Sequence, residues 1–156
     1  MTMLSDWNFW GFIAAVFVVS LSGAVFAPGE WYERLRKPSW NPPNWLFAPA
    51  WTVLYVMIAI AGYLVWQRVG FGAALAVYAV QLLCNAAWSG LFFGLKRPDI
   101  AFYGVVALWL SIAANIAAFA PISATAAWLL VPYLAWVSFA GYLNWTLWRM
   151  NGARPA

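Results

Sequence analysis

Five long stretches of this chain carry no charged residue at all, and that pattern restricts the fold more than anything else in the sequence. They run over about residues 7–27, 45–67, 71–95, 100–120 and 124–148. Each is close to the roughly 20 residues that an α-helix needs to cross a hydrocarbon core, and too long for a barrel strand of roughly 10. In lipid a spanning backbone must bond to itself, and a helix does so within one segment. Charged residues make up 8% of the chain, against about 25% in an average soluble domain. That is too few to cover a water-exposed surface. The expected fold is an all-α membrane protein, a single domain over residues 1–156 built as a five-helix transmembrane bundle.

The first stretch opens after Ser5-Asp6, a pair suited to cap a helix N-terminus. It has no basic segment before it and is long for a signal-peptide core, so it reads as a retained span. Pro28-Gly29 then breaks the helix. From Glu30 to Trp51 the sequence gathers five of the twelve charged residues, four of the nine prolines and four of the thirteen tryptophans. Lys37-Pro38 and Asn41-Pro42-Pro43 forbid a regular helix, although one helical turn fits over Glu30–Arg36. The segment 28–44 is expected to be an ordered lid between spans 1 and 2, folded over a pocket in the bundle.

The charges also predict an orientation. Arg34, Arg36, Lys37, Lys96, Arg97, Arg149 and Arg154 fall on one side of a five-span topology, and Arg68 alone on the other. Basic residues accumulate on the cytoplasmic side. The N-terminus is therefore expected outside, with the C-terminus and the lid cytoplasmic. Helical spans fit a bacterial inner membrane better than an outer one. Placed at helix ends, the net charge of +4 is an orientation signal and gives no reason to expect nucleic acid.

Several chemistries lack their residues. There is no histidine, and the single cysteine, Cys84, lies in an apolar run, so neither a metal site nor an intrachain disulfide is expected. The four acids, Asp6, Glu30, Glu33 and Asp99, all lie outside the spans. Ion-coupled carriers need an ionisable group within the membrane, and familiar hydrolases need paired carboxylates or a Ser/His/Asp set. What remains is amides and aromatics. Gln81, Asn85, Trp88 and Ser89 follow helical spacing on one face, Trp51 and Tyr55 are four apart, and so are Trp136, Ala140 and Asn144. Trp7, Trp10, Trp66, Trp128, Trp145 and Trp148 sit near predicted span ends and suit an interfacial belt. Trp51, Trp88, Trp109 and Trp136 are candidates for a pocket wall on which a flat apolar ligand could stack. Ser20, Ser22 and Gly23 read first as helix-packing positions, with pocket lining as the second reading. Gly72 with Ala76, and Gly90 with Gly94, have the spacing that permits close helix association, which suggests a homodimer through the third span.

Four motifs in order carry a family resemblance. They are WY-x4-KPSWNPP-x-W from Trp31 to Trp45, P-x-W-x3-Y from Pro49 to Tyr55, Q-x3-N-x2-W from Gln81 to Trp88 with FFG after it, and PYLAW-x3-A-x3-N from Pro132 to Asn144. The chain resembles the TspO/MBR family of tryptophan-rich sensory and translocator proteins, which includes the peripheral-type benzodiazepine receptor. The resemblance implies a five-helix bundle, usually a homodimer, whose first loop covers a pocket. It implies ligands such as protoporphyrin IX, haem, cholesterol and benzodiazepine-type compounds, with no obligatory cofactor. The pocket positions that carry over are Tyr32, Trp40, Trp51, Asn85, Trp136 and Ala140, beside which the spacing places Tyr55, Trp88 and Asn144. Some bacterial relatives promote light-dependent breakdown of protoporphyrin IX, and the tryptophans tied to that activity match Trp51 and Trp136, which would be the catalytic residues in that case. The expected function is a tetrapyrrole-binding membrane sensor or transporter in porphyrin metabolism and stress response, with porphyrin photodegradation as the alternative.

Overall fold

The computed structural model describes residues 2–25 and 28–155. The described chain is helical throughout its regular structure: α1 (Trp7–Val25), α2 (Glu30–Arg34), α3 (Asn44–Val69), α4 (Ala73–Ser89), α5 (Pro98–Phe119) and α6 (Ala124–Asn151). No strand occurs among the described residues. Helix α3, α4 with the turn that follows it, α5 and α6 are long and apolar enough to cross a membrane, and α1 is a shorter apolar helix. The expected end of the first span at 26–27 lies outside the described residues.

Local chemistry sets most boundaries. Asp6 caps α1, its Oδ1 accepting from the backbone N–H of Asn8 at 2.9 Å. Ser123 caps α6 by accepting from Ala126 N at 3.1 Å. Gly70 and Gly152 end α3 and α6 with positive φ, which glycine adopts without steric cost. Both α3 and α6 run on through an internal proline, Pro49 and Pro132. The third stretch corrects the sequence reading of one regular helix over 71–95. Its α-helix ends at Ser89, and Gly90–Gly94 form a π turn in which Leu95 N donates to Gly90 O at 2.8 Å.

The helices pack in a closed order: α1 on α3, α3 on α6, α6 on α5, α5 on α4, and α4 back on α1. Lipid supplies no hydrophobic drive for helix association, so close packing and hydrogen bonds hold such an assembly. Small buried residues permit the approach, among them Ala59, Ala61, Gly62, Ala126 and Ala127. A Cβ on Gly62 would lie 2.6 Å from Cζ of Tyr78, whose hydroxyl donates to Ile58 O across the α3–α4 contact.

Contacts at the helix ends show that successive long helices alternate in direction. At one end the Tyr63 hydroxyl donates to Asp6 Oδ2 at 2.7 Å, and Arg68 Nη1 donates to Ile122 O at 2.8 Å. At the other end Trp31 Nε1 donates to Pro155 O at 3.2 Å, and Asn144 Nδ2 donates to Pro98 O at 2.8 Å. There Asn151 also brackets the backbone of Arg36, accepting from its N–H at 2.7 Å and donating to its carbonyl at 2.8 Å.

Candidate functional site

A cavity of about 580 Å³ opens between α1 and α3 at the end of the bundle that carries α2. Its α1 wall is Ile13, Val16, Phe17, Ser20 and Gly23, and its α3 wall runs from Asn44 through Phe47, Trp51, Thr52, Tyr55 and Val56 to Ala59. Trp88, Ser89 and Phe93 close it from the α4 side, and Pro28 and Tyr32 from the connecting segment. No charged side chain lines it among the described residues. Its volume is in the usual range for a small-molecule site, about 300–1,000 Å³, and the apolar wall with a few polar groups is typical of one.

The π turn shapes one side. It presents two adjacent residues, Phe92 and Phe93, to the same neighbours. Both rings lie edge-on to Tyr32, at centroid distances of 6.3 and 5.6 Å, and both contact Trp88. An ordinary α-helical turn separates consecutive side chains by about 100°, whereas π turns are often found where function demands a local change of register.

Trp51 is the aromatic centre of the α3 wall. It stacks on Tyr55 at 5.4 Å and meets Tyr133 and Trp136 edge-on at 6.2 and 6.4 Å. Trp136 also packs against Phe47 at 6.0 Å, and its buried Nε1 has no acceptor among the described residues. Beneath Trp51 runs a buried hydrogen-bond chain. The Tyr55 hydroxyl donates to Asn85 Oδ1 at 3.1 Å, Asn85 Nδ2 donates to the Tyr133 hydroxyl at 2.7 Å, and that hydroxyl donates to Gln81 Oε1 at 2.9 Å. The chain joins α3, α4 and α6 without a charge. In the connecting segment, burial pushes the Tyr32 phenol up, against a weak opposing bond to Asn41 at 3.4 Å, so it stays a neutral donor.

The residues singled out from sequence fall into four groups. Tyr32, Trp51, Tyr55 and Trp88 line the cavity. Ala140 and Asn144 line a separate void of about 30 Å³, where Asn144 also accepts from Trp88 Nε1 at 3.0 Å. Tyr32 and Trp88, joined by Phe47 and Phe93, which were not singled out, line both spaces and form the partition between them. Asn85 and Trp136 lie behind the wall, the first within the polar chain and the second against Trp51. Trp40 is elsewhere: it stacks on Tyr142 at 5.2 Å, is edge-on to Phe139, and is 41% exposed. Trp109, nominated for the pocket wall, faces outward and donates to Ser138 Oγ at 2.8 Å. Sequence reasoning missed Phe47, Phe93 and the α1 residues Ile13, Val16 and Phe17, and ranked packing ahead of pocket lining for Ser20 and Gly23. The FFG motif was the available signal for Phe93, and the serine and glycine for α1.

The comparisons with known proteins agree with this architecture. A profile of the TspO/MBR family matches residues 12–149. The chain is 44% identical over 154 residues to the "Tryptophan-rich sensory protein" of Cereibacter sphaeroides, covering 98% of each chain. The chain belongs to the TspO/MBR family. Other family members are the "Tryptophan-rich protein TspO" of Chlorobaculum tepidum, 42% identical over 89% of this chain and 92% of that one, and the human "Translocator protein", 38% identical over 90% and 88%. Its four long apolar helices and the shorter α1 make this TspO/MBR chain a multi-pass membrane protein.

Proposed function

We propose that the cavity between α1, α3 and α4 binds flat apolar tetrapyrroles such as protoporphyrin IX or haem, and that the protein serves as a sensor or transporter in porphyrin metabolism and stress response. Benzodiazepine-type compounds belong to the same site. In this reading all five apolar helices cross a bacterial inner membrane with the N-terminus outside. The segment 28–44 is a cytoplasmic lid, and two copies associate through the third span, whose exposed face carries Ala76, Leu83 and Ala87.

The single observation that carries this proposal is the cavity itself: about 580 Å³, aromatic, and without charged lining among the described residues. Such a wall suits a planar macrocycle, which gains from stacking and from leaving water. Rotation of Phe47 or Trp88 would join the small void to the cavity and bring Ala140 and Asn144 into contact with a ligand. The unpartnered Trp136 Nε1 would then have an acceptor to find. Titration of the purified protein with protoporphyrin IX, followed by tryptophan quenching, should be saturable. It should weaken when Trp51→Phe and Trp136→Phe are combined. Quenching that never saturates, or that is identical in the double variant, contradicts the assignment.

One observation favours the second reading, light-dependent porphyrin degradation. Trp51 and Trp136 are in edge-to-face contact at 6.4 Å, so an electron taken from one indole by an excited porphyrin can be shared with the other. Loss of the porphyrin Soret band under light, abolished in the double variant, supports it. A rate equal to that with an unrelated tryptophan-rich membrane protein counts against it.

A further inference from the structure

We propose that Lys37 is the specificity-determining residue that recognises a carboxylate on the ligand, so that the site prefers anionic flat ligands over their neutral counterparts. The proposal rests on the tetrapyrrole reading above and adds to it a named group with a charge. The cavity has no cation of its own among the described residues, so an acidic ligand that buries its ring must leave its carboxylates at the rim. Lys37 stands there. Its ammonium lies 4.7 Å from the centroid of the Tyr32 ring, and Tyr32 is a wall of the cavity.

The ammonium is held but not neutralised. It donates to two backbone carbonyls, Glu33 O at 3.1 Å and Leu35 O at 3.3 Å, which leaves a third N–H for a ligand. Among the described residues no carboxylate pairs with it: Glu30 is taken by Arg34, Asp99 by Arg97, and Glu33, four residues before it, meets it only through its backbone carbonyl. The segment that carries it is also fixed on both sides. Asn151 grips the N–H and the carbonyl of Arg36, and Pro38 restricts Lys37 itself. Lysine has a flexible stem, so from this anchored position the charge can turn toward the cavity mouth without moving the backbone.

The test compares protoporphyrin IX with its dimethyl ester, which has the same ring and no charge, on wild type, Lys37→Gln and Lys37→Arg. Lys37→Gln should weaken the diacid roughly tenfold, the scale of one charge-assisted hydrogen bond, and leave the ester unchanged. Lys37→Arg should restore most of the diacid affinity. Equal weakening of acid and ester would reveal a merely structural lysine and overturn the proposal, as would no weakening of the acid. If wild type binds neither porphyrin saturably, the tetrapyrrole reading fails first and Lys37 falls with it.

Discussion

Asn85 has every polar atom of its side chain committed to protein. It accepts from Tyr55 and donates to Tyr133 while 2% exposed. Replacing it by alanine leaves two phenols in the bundle interior short of a partner, at a cost on the order of 1–2 kcal/mol. Thermal unfolding in detergent should show a lower midpoint for Asn85→Ala, and an unchanged midpoint would mean that water enters the chain. A second residue-level prediction concerns pH. The Tyr63 hydroxyl, aided by the N–H groups of Asn8, holds the Asp6 carboxyl below the usual carboxylate range. A depressed folded-state value stabilises the fold above the unfolded value of about 3.9 and loses that effect as pH falls through the folded one. Asp6→Asn should therefore lower the melting temperature near pH 7, and the gap should close in acid below about pH 4. A gap that persists in acid contradicts the linkage.

At the scale of elements, the close approach of α3 to α4 depends on Gly62. A methyl group there meets the Tyr78 ring at 2.6 Å, and the Ile58 carbonyl holds that ring in place. Gly62→Ala should cost about 1–3 kcal/mol by overpacking, read as a lower unfolding midpoint; a neutral effect would mean that the ring swings away freely. The helices themselves were legible because each is bounded by charges and by Gly or Pro, and Asp6 was readable as the cap of α1. The faces were not. In lipid, an outward-facing residue and a cavity-facing residue are both apolar, so Trp109 and Trp51 look alike in sequence although one bonds Ser138 at the surface and the other lines the cavity. Amides were better guides: Asn85 and Gln81 share one buried chain, as their common helical face implied. The π turn after Ser89 had no legible signal, because its residues, Gly90 to Gly94, form equally well the last turn of an ordinary helix.

Over the whole molecule, the cavity and its cover come from distant parts of the sequence. The segment that contributes Tyr32 is tied to the end of α6 by Asn151 and by the bond from Trp31 to Pro155. Prolines at 42 and 43 reduce the freedom this segment loses when it is ordered. Replacing Pro42 and Pro43 together by glycine should weaken ligand binding and leave the helix content by circular dichroism unchanged. Unchanged affinity would make the stretch a connector. The most direct measurement of the central claim fills the cavity at its mouth. Thr52 lines it and is exposed, so Thr52→Phe adds bulk there without crowding the buried core. Protoporphyrin IX emission titrations should show binding to Thr52→Phe weakened by about tenfold or more, the effect of losing about 1.4 kcal/mol, with helix content intact. Affinity equal to wild type would place the ligand somewhere other than between α1 and α3.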